Sequence, residues 1–155
     1  MSSHVYHDLH VHLNWHTKHD HRTLTGQVEE LAHTLLRDKA ARMKGVHLHR
    51  LGGTDDHVHL AVQIEPYVCI SDLVAELKGA SSFEVNKRLR HKALEWQRGY
   101  GAVSFGRRNL GWVSEYIDRQ REHDAAGKVF ARLEAFEPEE GSSAERQGSG
   151  GEREG

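Results

Sequence analysis

The chain has 155 residues, of which 28% are charged and 37% hydrophobic, and its formal net charge is −2. That length makes one domain with an adequate core, and the charge balance does not advertise a nucleic-acid binder. With a single cysteine, Cys69, no internal disulfide can form. No apolar run approaches the ~20 residues that a transmembrane helix needs.

Val5 to Thr17 alternates and is rich in β-branched, aromatic and imidazole side chains, so it reads as a first strand. Gly26 to Lys44 carries Val28, Leu31, Leu35, Leu36 and Met43 at helical spacing, which predicts a long amphipathic helix. Thr25 is its expected N-cap and Gly45 its stop. Val46 to Leu51 reads as a second strand, 52–56 as a turn, and His57 to Ile64 as a third strand, antiparallel to the second by hairpin logic. A second helix starts at Ser71, with Leu73, Val74, Leu77, Phe83, Val85 and Leu89 on an apolar stripe. Cys69, just before it, is expected to be a core residue. Tyr100 to Phe105 is a fourth strand and Leu110 to His123 a third helix. Gly127 to Phe136 extends that helix or forms a short fourth one.

Strand, helix, strand, strand, helix, strand is the split βαβ, ferredoxin-like pattern of the α+β class. It predicts a four-stranded antiparallel sheet with two helices on one face, plus a C-terminal tyrosine-bearing helix free to cross the other face. Residues 1–136 are the expected folded domain. Residues 137–155 carry six Glu and two Arg among Gly and Ser, and are expected to be a disordered acidic tail. The N-terminus is polar and histidine-rich rather than a signal peptide, so a soluble cytoplasmic protein is expected.

The mild global charge hides a basic run. Between 87 and 108 stand Lys87, Arg88, Arg90, Lys92, Arg98, Arg107 and Arg108 against one acid, Glu95. Such a run is either a solvated face or a surface for phosphates.

Four His-x-His pairs occur, at 10/12, 19/21, 47/49 and 57/59. His57 and His59 stand out because alternation on a strand puts both on one face. Their Cα atoms would lie ~6.5 Å apart, so both rings can converge on one metal ion. The 19/21 pair, among Lys18, Asp20 and Arg22, is expected to be solvated. On the third helix, Tyr116, Gln120 and His123 share a face beside the apolar positions 113 and 117. A packed tyrosine is the ordinary fate of such a position, but core packing does not call for Gln and His at those offsets. Phosphodiester cleavage needs a nucleophile and charge stabilisation. Two imidazoles and an amide oxygen would suit Mg²⁺ or Mn²⁺.

These residues resemble the single-tyrosine HUH transposases of small bacterial insertion sequences and their REP-associated tyrosine transposase relatives. His57-Val58-His59 is the His-hydrophobic-His motif. The segment from His12 to Lys18 followed by Arg22, the block Leu77 to Ser82, the block Trp96 to Ser104, and Tyr116 to His123 resemble further family blocks in order. The resemblance implies a metal-dependent single-strand DNA endonuclease and strand transferase. Tyr116 would be the nucleophile, forming a 5′-phosphotyrosine, with His57, His59 and Gln120 as metal ligands. It also implies hairpin-containing DNA as substrate and a homodimer in which the tyrosine helix can be donated to the partner. DNA contacts are expected from Lys18, Arg22 and the 87–108 run, and an accessory role from His123. The family often has a second histidine where this chain has Asp124. Two other readings share the scaffold: a domesticated enzyme that processes chromosomal repeats, and a non-catalytic ferredoxin-like nucleic-acid binder. Against the latter, His57 to Ile64 has no aromatic side chain on which a base could stack apart from its histidines.

Overall fold

A computed structural model describes residues 5–120 and 131–135. Four strands, β1 (Leu9–His16), β2 (Val46–Gly53), β3 (His57–Ile64) and β4 (Gly101–Phe105), form one antiparallel sheet in the order β2-β3-β1-β4. Helices α1 (Gly26–Arg42) and α2 (Ile70–Leu89) connect them, and α3 (Leu110–Asp118) and a short α4 (Ala131–Glu134) follow. The split βαβ topology is as the sequence pattern predicts. Among the described residues no helix is long and apolar enough to cross a membrane.

Alternation decides what each face holds. Val11, Leu13 and Trp15 on β1 and Val58, Leu60, Val62 and Ile64 on β3 point to one side. There they pack with Leu35, Leu36, Leu73, Val74, Leu77 and Val85 from α1 and α2 as the main core. The intervening positions, His10, His12, Asn14 and His16 on β1 and His57, His59 and Ala61 on β3, face the other way. That second face is also buried: His12, Asn14 and His59 have no exposed surface. Helix α3 covers part of it, through Val113 and Ile117 on Ala61. Gly52 makes the approach possible, since a Cβ there would lie 2.7 Å from the Ile117 carbonyl oxygen.

Two of the sequence blocks singled out above form one unit. Lys78 Nζ on α2 donates to the carbonyls of Gln97 and Gly99 at 2.8 and 2.7 Å, and Trp96 Nε1 donates to Ser81 Oγ at 2.9 Å. This ties α2 to the segment entering β4, where Trp96 bridges Thr17 at the end of β1.

Several expectations need correction. Strand β1 begins at Leu9 rather than Val5. Thr25 holds the N-cap position with extended backbone, but its side chain makes no capping hydrogen bond. Helix α1 ends at Arg42, before Gly45, and α2 begins at Ile70, one residue before Ser71. Cys69 is exposed at that helix entry instead of buried, beside Ser71 Oγ at 3.2 Å. Phe83 is 65% exposed, because the α2 stripe turns toward Leu77, Ser81 and Val85, and Phe83 falls off it. The third helix stops at Asp118, and Arg119 leaves helical geometry with φ −101° and ψ 19°. His123 and the tail 137–155 lie outside the described residues.

Candidate metal and nucleophile site

The site lies on the second face of the sheet, at the β1–β3 seam. His16 pairs with His57 and Asn14 with His59 in the β1–β3 register. The His57 and His59 rings are 4.9 Å apart, centroid to centroid, and nearly perpendicular at 74°. Each ring is held at its outer nitrogen. His57 Nδ1 lies 2.6 Å from Asp56 Oδ1 and 2.9 Å from Thr54 Oγ1. His59 Nδ1 lies 2.9 Å from His12 Nε2. When both Nδ1 atoms carry the proton and donate it, both Nε2 lone pairs turn inward, as metal-binding imidazoles require.

Opposite those nitrogens stands Glu134 on α4. Its Oε2 is 3.3 Å from His59 Nε2 and 3.6 Å from His57 Nε2. Its Oε1 accepts hydrogen bonds from the Tyr116 hydroxyl and from Gln120 Nε2, each at 2.7 Å. Gln120 Nε2 also lies 3.4 Å from His57 Nε2. Thus Tyr116 and Gln120 meet at one carboxylate although Arg119 interrupts the helix between them. Tyr116 is buried at 5% exposure, edge-on to His59 at 6.2 Å and stacked with the half-exposed Trp112 at 5.6 Å. A small cavity of about 200 Å³ beside it is lined by Trp112, Glu115, Tyr116 and Arg119.

The charges follow from burial and pairing. Burial works to raise the Glu134 pKa, but His59, Tyr116 and Gln120 outweigh it and hold the carboxyl down at about 2. Burial drives His12 down to about 3, helped by the adjacent His59. Burial likewise lowers His59, against the pull of Glu134. The hydrogen bond from His57 lowers Asp56. The centre therefore sets a neutral-leaning His59 imidazole against an ionised carboxylate.

Among the described residues two groups have donor atoms within 4.8 Å of one another: His57, His59 and Glu134, and His16, Asp56 and His57. The first fits a divalent cation. Its imidazole lone pairs can be turned inward, its oxygen donor is charged, and among the described residues the buried His59 Nε2 makes no hydrogen bond of good geometry, with Glu134 Oε2 3.3 Å away. Sequence reasoning missed Glu134, reading 127–136 only as an extension of the third helix or a short fourth one. A lone carboxylate between Leu133 and Ala135 was the available signal. It also missed Asp56, Thr54 and His12 as orienting groups. The 19/21 pair is exposed, as expected. His10 stacks on Phe105 at 5.5 Å, and His49 lies 3.1 Å from Gln63 Oε1.

The basic residues do not form one patch. Lys18 and Lys92 flank Glu95 at 3.4 and 3.6 Å, just past the end of β1. Arg107 pairs with Asp8 through two bonds of 3.0 and 2.9 Å, just before β1 begins. Those ends are about 24 Å apart along an eight-residue strand. Arg22 lies 3.8 Å from Asp55 and Arg88 3.6 Å from Glu84. Lys87 sits over the Phe83 ring at 5.9 Å. Arg90, Arg98 and Arg108 are exposed.

Residues 5–120 match the family model described as Transposase IS200 like. The chain is 30% identical over 122 residues to the ISDra2 transposase TnpA of Deinococcus radiodurans, covering 75% of this chain and 86% of that one. It is 25% identical over 126 residues to the transposase for insertion sequence element IS200 of Salmonella typhimurium, covering 77% and 82%. A crystal structure from Deinococcus radiodurans R1, described as a candidate transposase, aligns with a TM-score of 0.61 at 27% identity over 77% of this chain and 96% of that one. The REP-associated tyrosine transposase bound to a REP hairpin aligns with a TM-score of 0.51 at 14% identity, over 83% and 76%, a likeness of fold.

Proposed function

We propose a function from one premise: the chain belongs to the IS200-like transposase family. It is accordingly a DNA transposase, an enzyme acting on DNA. The finer reading is a single-strand endonuclease and strand transferase in which Tyr116 is the nucleophile. The observation that carries it is the convergence of the Tyr116 hydroxyl and the His57–His59 pair on one carboxylate.

The Tyr116 oxygen attacks the scissile phosphorus. A bond forms between phenolic oxygen and phosphorus, the bond to the 3′-oxygen breaks, and the leaving strand departs as a 3′-hydroxyl. The 5′-phosphotyrosine keeps the phosphodiester energy, so a later 3′-hydroxyl can attack it and restore Tyr116. In the resting chain Glu134 Oε1 accepts the hydrogen bond of the phenol and fixes the direction of the hydroxyl. Asp56 and Thr54 orient His57, and His12 orients His59. His57 and His59, with Gln120 beside them as third donor, would hold Mg²⁺ or Mn²⁺, which supplies charge stabilisation at the phosphate oxygens.

The substrate we infer is single-stranded DNA with a hairpin. Lys18 and Lys92 offer paired cations for its backbone near the site, with Arg22 and the other 87–108 basic residues as further contacts. His123 is an accessory candidate, and 1–136 the catalytic domain. The family resemblance supports a homodimer, and the cytoplasm is the compartment where its DNA lies. A domesticated repeat-processing role would use the same site. What favours catalysis over passive binding is the buried phenol beside two oriented imidazoles. The test is incubation with labelled hairpin DNA and Mn²⁺, followed by denaturing electrophoresis. The wild type is expected to give a covalent adduct and Tyr116→Phe none, with hairpin binding retained. Adducts from the Phe variant would remove Tyr116 from the mechanism.

A further inference from the structure

We propose that Glu134 is itself a ligand of the divalent cation, completing a two-imidazole, one-carboxylate set with His57 and His59. The inference rests on the reading above that this histidine pair holds a metal.

Three observations carry it. First, the two oxygens of Glu134 are used differently. Oε1 is taken by Tyr116 and Gln120, while Oε2 faces both imidazole Nε2 atoms at 3.3 and 3.6 Å. Metal-to-donor distances are about 2.0–2.2 Å, so donors 3.3–3.6 Å apart can share one ion. A ligating carboxylate is ordinarily hydrogen-bonded at its other oxygen, and here Tyr116 and Gln120 do that.

Second, the segment bearing Glu134 is clamped to the sheet. Asn14 Nδ2 on β1 donates to the carbonyls of Leu133 and Ala135, both at 2.9 Å. Leu133 is buried at 3% exposure, and Arg132 reaches the Ser104 carbonyl on β4 at 3.3 Å. A Cβ on Gly101 would lie 1.9 Å from the Ala135 carbonyl oxygen, so β4 is shaped to let the segment sit there.

Third, charge balance favours it. Two neutral imidazoles and an amide leave both cation charges uncompensated in a buried site, whereas a carboxylate removes one. On this assignment Glu134 takes the third-donor place given above to Gln120, which becomes a positioning residue, since it presents its amide nitrogen to Glu134. Tyr116 and the cation are then joined through a single side chain.

The test measures Mn²⁺ binding by the full chain, stripped with chelator and dialysed, from the free-ion electron paramagnetic resonance signal. Glu134→Ala is expected to weaken binding by at least about tenfold, the lower end of what loss of an outer-shell partner alone does. Gln120→Ala should weaken it less. Circular dichroism checks that each variant is folded, and Glu134→Gln, nearly the same shape, serves if the alanine variant is not. Mn²⁺ affinity within twofold of wild type in a folded Glu134 variant, with His57→Ala and His59→Ala still abolishing binding, overturns the Glu134 assignment and leaves the histidine site standing. A larger loss from Gln120→Ala than from Glu134→Ala overturns it as well. No Mn²⁺ binding by the wild type overturns the inference and the metal reading together.

Discussion

Gly101→Ala is expected to unseat Glu134 without touching any residue of the site. The new Cβ would stand 1.9 Å from the Ala135 carbonyl oxygen and 2.6 Å from Asn14 Nδ2, distances at which something must move. β4 is held by five residue pairings to β1, whereas residues 133–135 are held by two hydrogen bonds from Asn14, the two that Glu134 accepts from Tyr116 and Gln120, and the burial of Leu133. The weaker partner gives way. Two neutral hydrogen bonds are worth about 1 kcal/mol each net, and a buried leucine about 1.5–3 kcal/mol. The ordering entropy of a few residues offsets part of that, so the segment is docked by a few kcal/mol. Releasing it should raise its open population by ten- to a hundredfold at about 1.4 kcal/mol per decade. Trypsin cleavage after Arg132, followed by mass spectrometry under conditions where opening is fast, reads that population. The Gly101→Ala variant should be cut ten- to a hundredfold faster at that bond, with little change in global unfolding and with weakened Mn²⁺ binding. Cleavage after Arg132 at the wild-type rate, in a variant whose β4 is intact, would refute the clamp.

Two further outcomes follow from the surface charges. Lys18→Ala should weaken hairpin binding at low salt and reduce the slope of log affinity against log salt by about 0.7–0.9, the value of one phosphate contact; an unchanged slope removes Lys18 from the interface. The hydrogen bond from Arg107 holds the Asp8 carboxyl below its ordinary 3.8. The folded state therefore favours the charged form, and the stability this adds is present above pH 3.8 and lost as pH falls through the lower folded value. NMR titration should find Asp8 below 3.8, and Arg107→Ala should return it toward that value; a carboxyl titrating at 3.8 in the wild type would contradict the pair.

The parts of this chain legible in its sequence are those set by short-range alternation. His57 and His59 share a face because any strand puts them there, and the order of elements sufficed for the sheet. Burial of Phe83 and Cys69 was misjudged because composition says that a segment is apolar, not which of its side chains the neighbouring elements reach. Tyr116 and Gln120 do meet, yet not along the unbroken helix their spacing suggested. The helix stops at Asp118, and both side chains are gathered by Glu134. The role of that carboxylate was not legible because it depends on bringing α4 onto β1 and β4, a contact more than a hundred residues from Asn14 in sequence. The basic run failed as a patch for a related reason. Residues adjacent in sequence flank β4 and diverge to opposite ends of the sheet.

The second face of the sheet poses a physical problem that accounts for the site's construction. A split βαβ sheet has helices for one face only, and here the other carries His12, Asn14 and His59 with no exposed surface. Burying such groups is unfavourable unless each finds a partner. An apolar cover would leave them unpaired, so the covering segments must bring carbonyls and a carboxylate. Asn14 takes the two carbonyls of residues 133 and 135, which fixes the residue between them over the histidine pair. Given a helical turn clamped at both of those carbonyls, the side chain at 134 has little choice of direction, and a glutamate there reaches both imidazoles and the phenol. The polar satisfaction of Asn14 and the placement of Glu134 are thus one structural event. An Asn14→Leu variant should lose both.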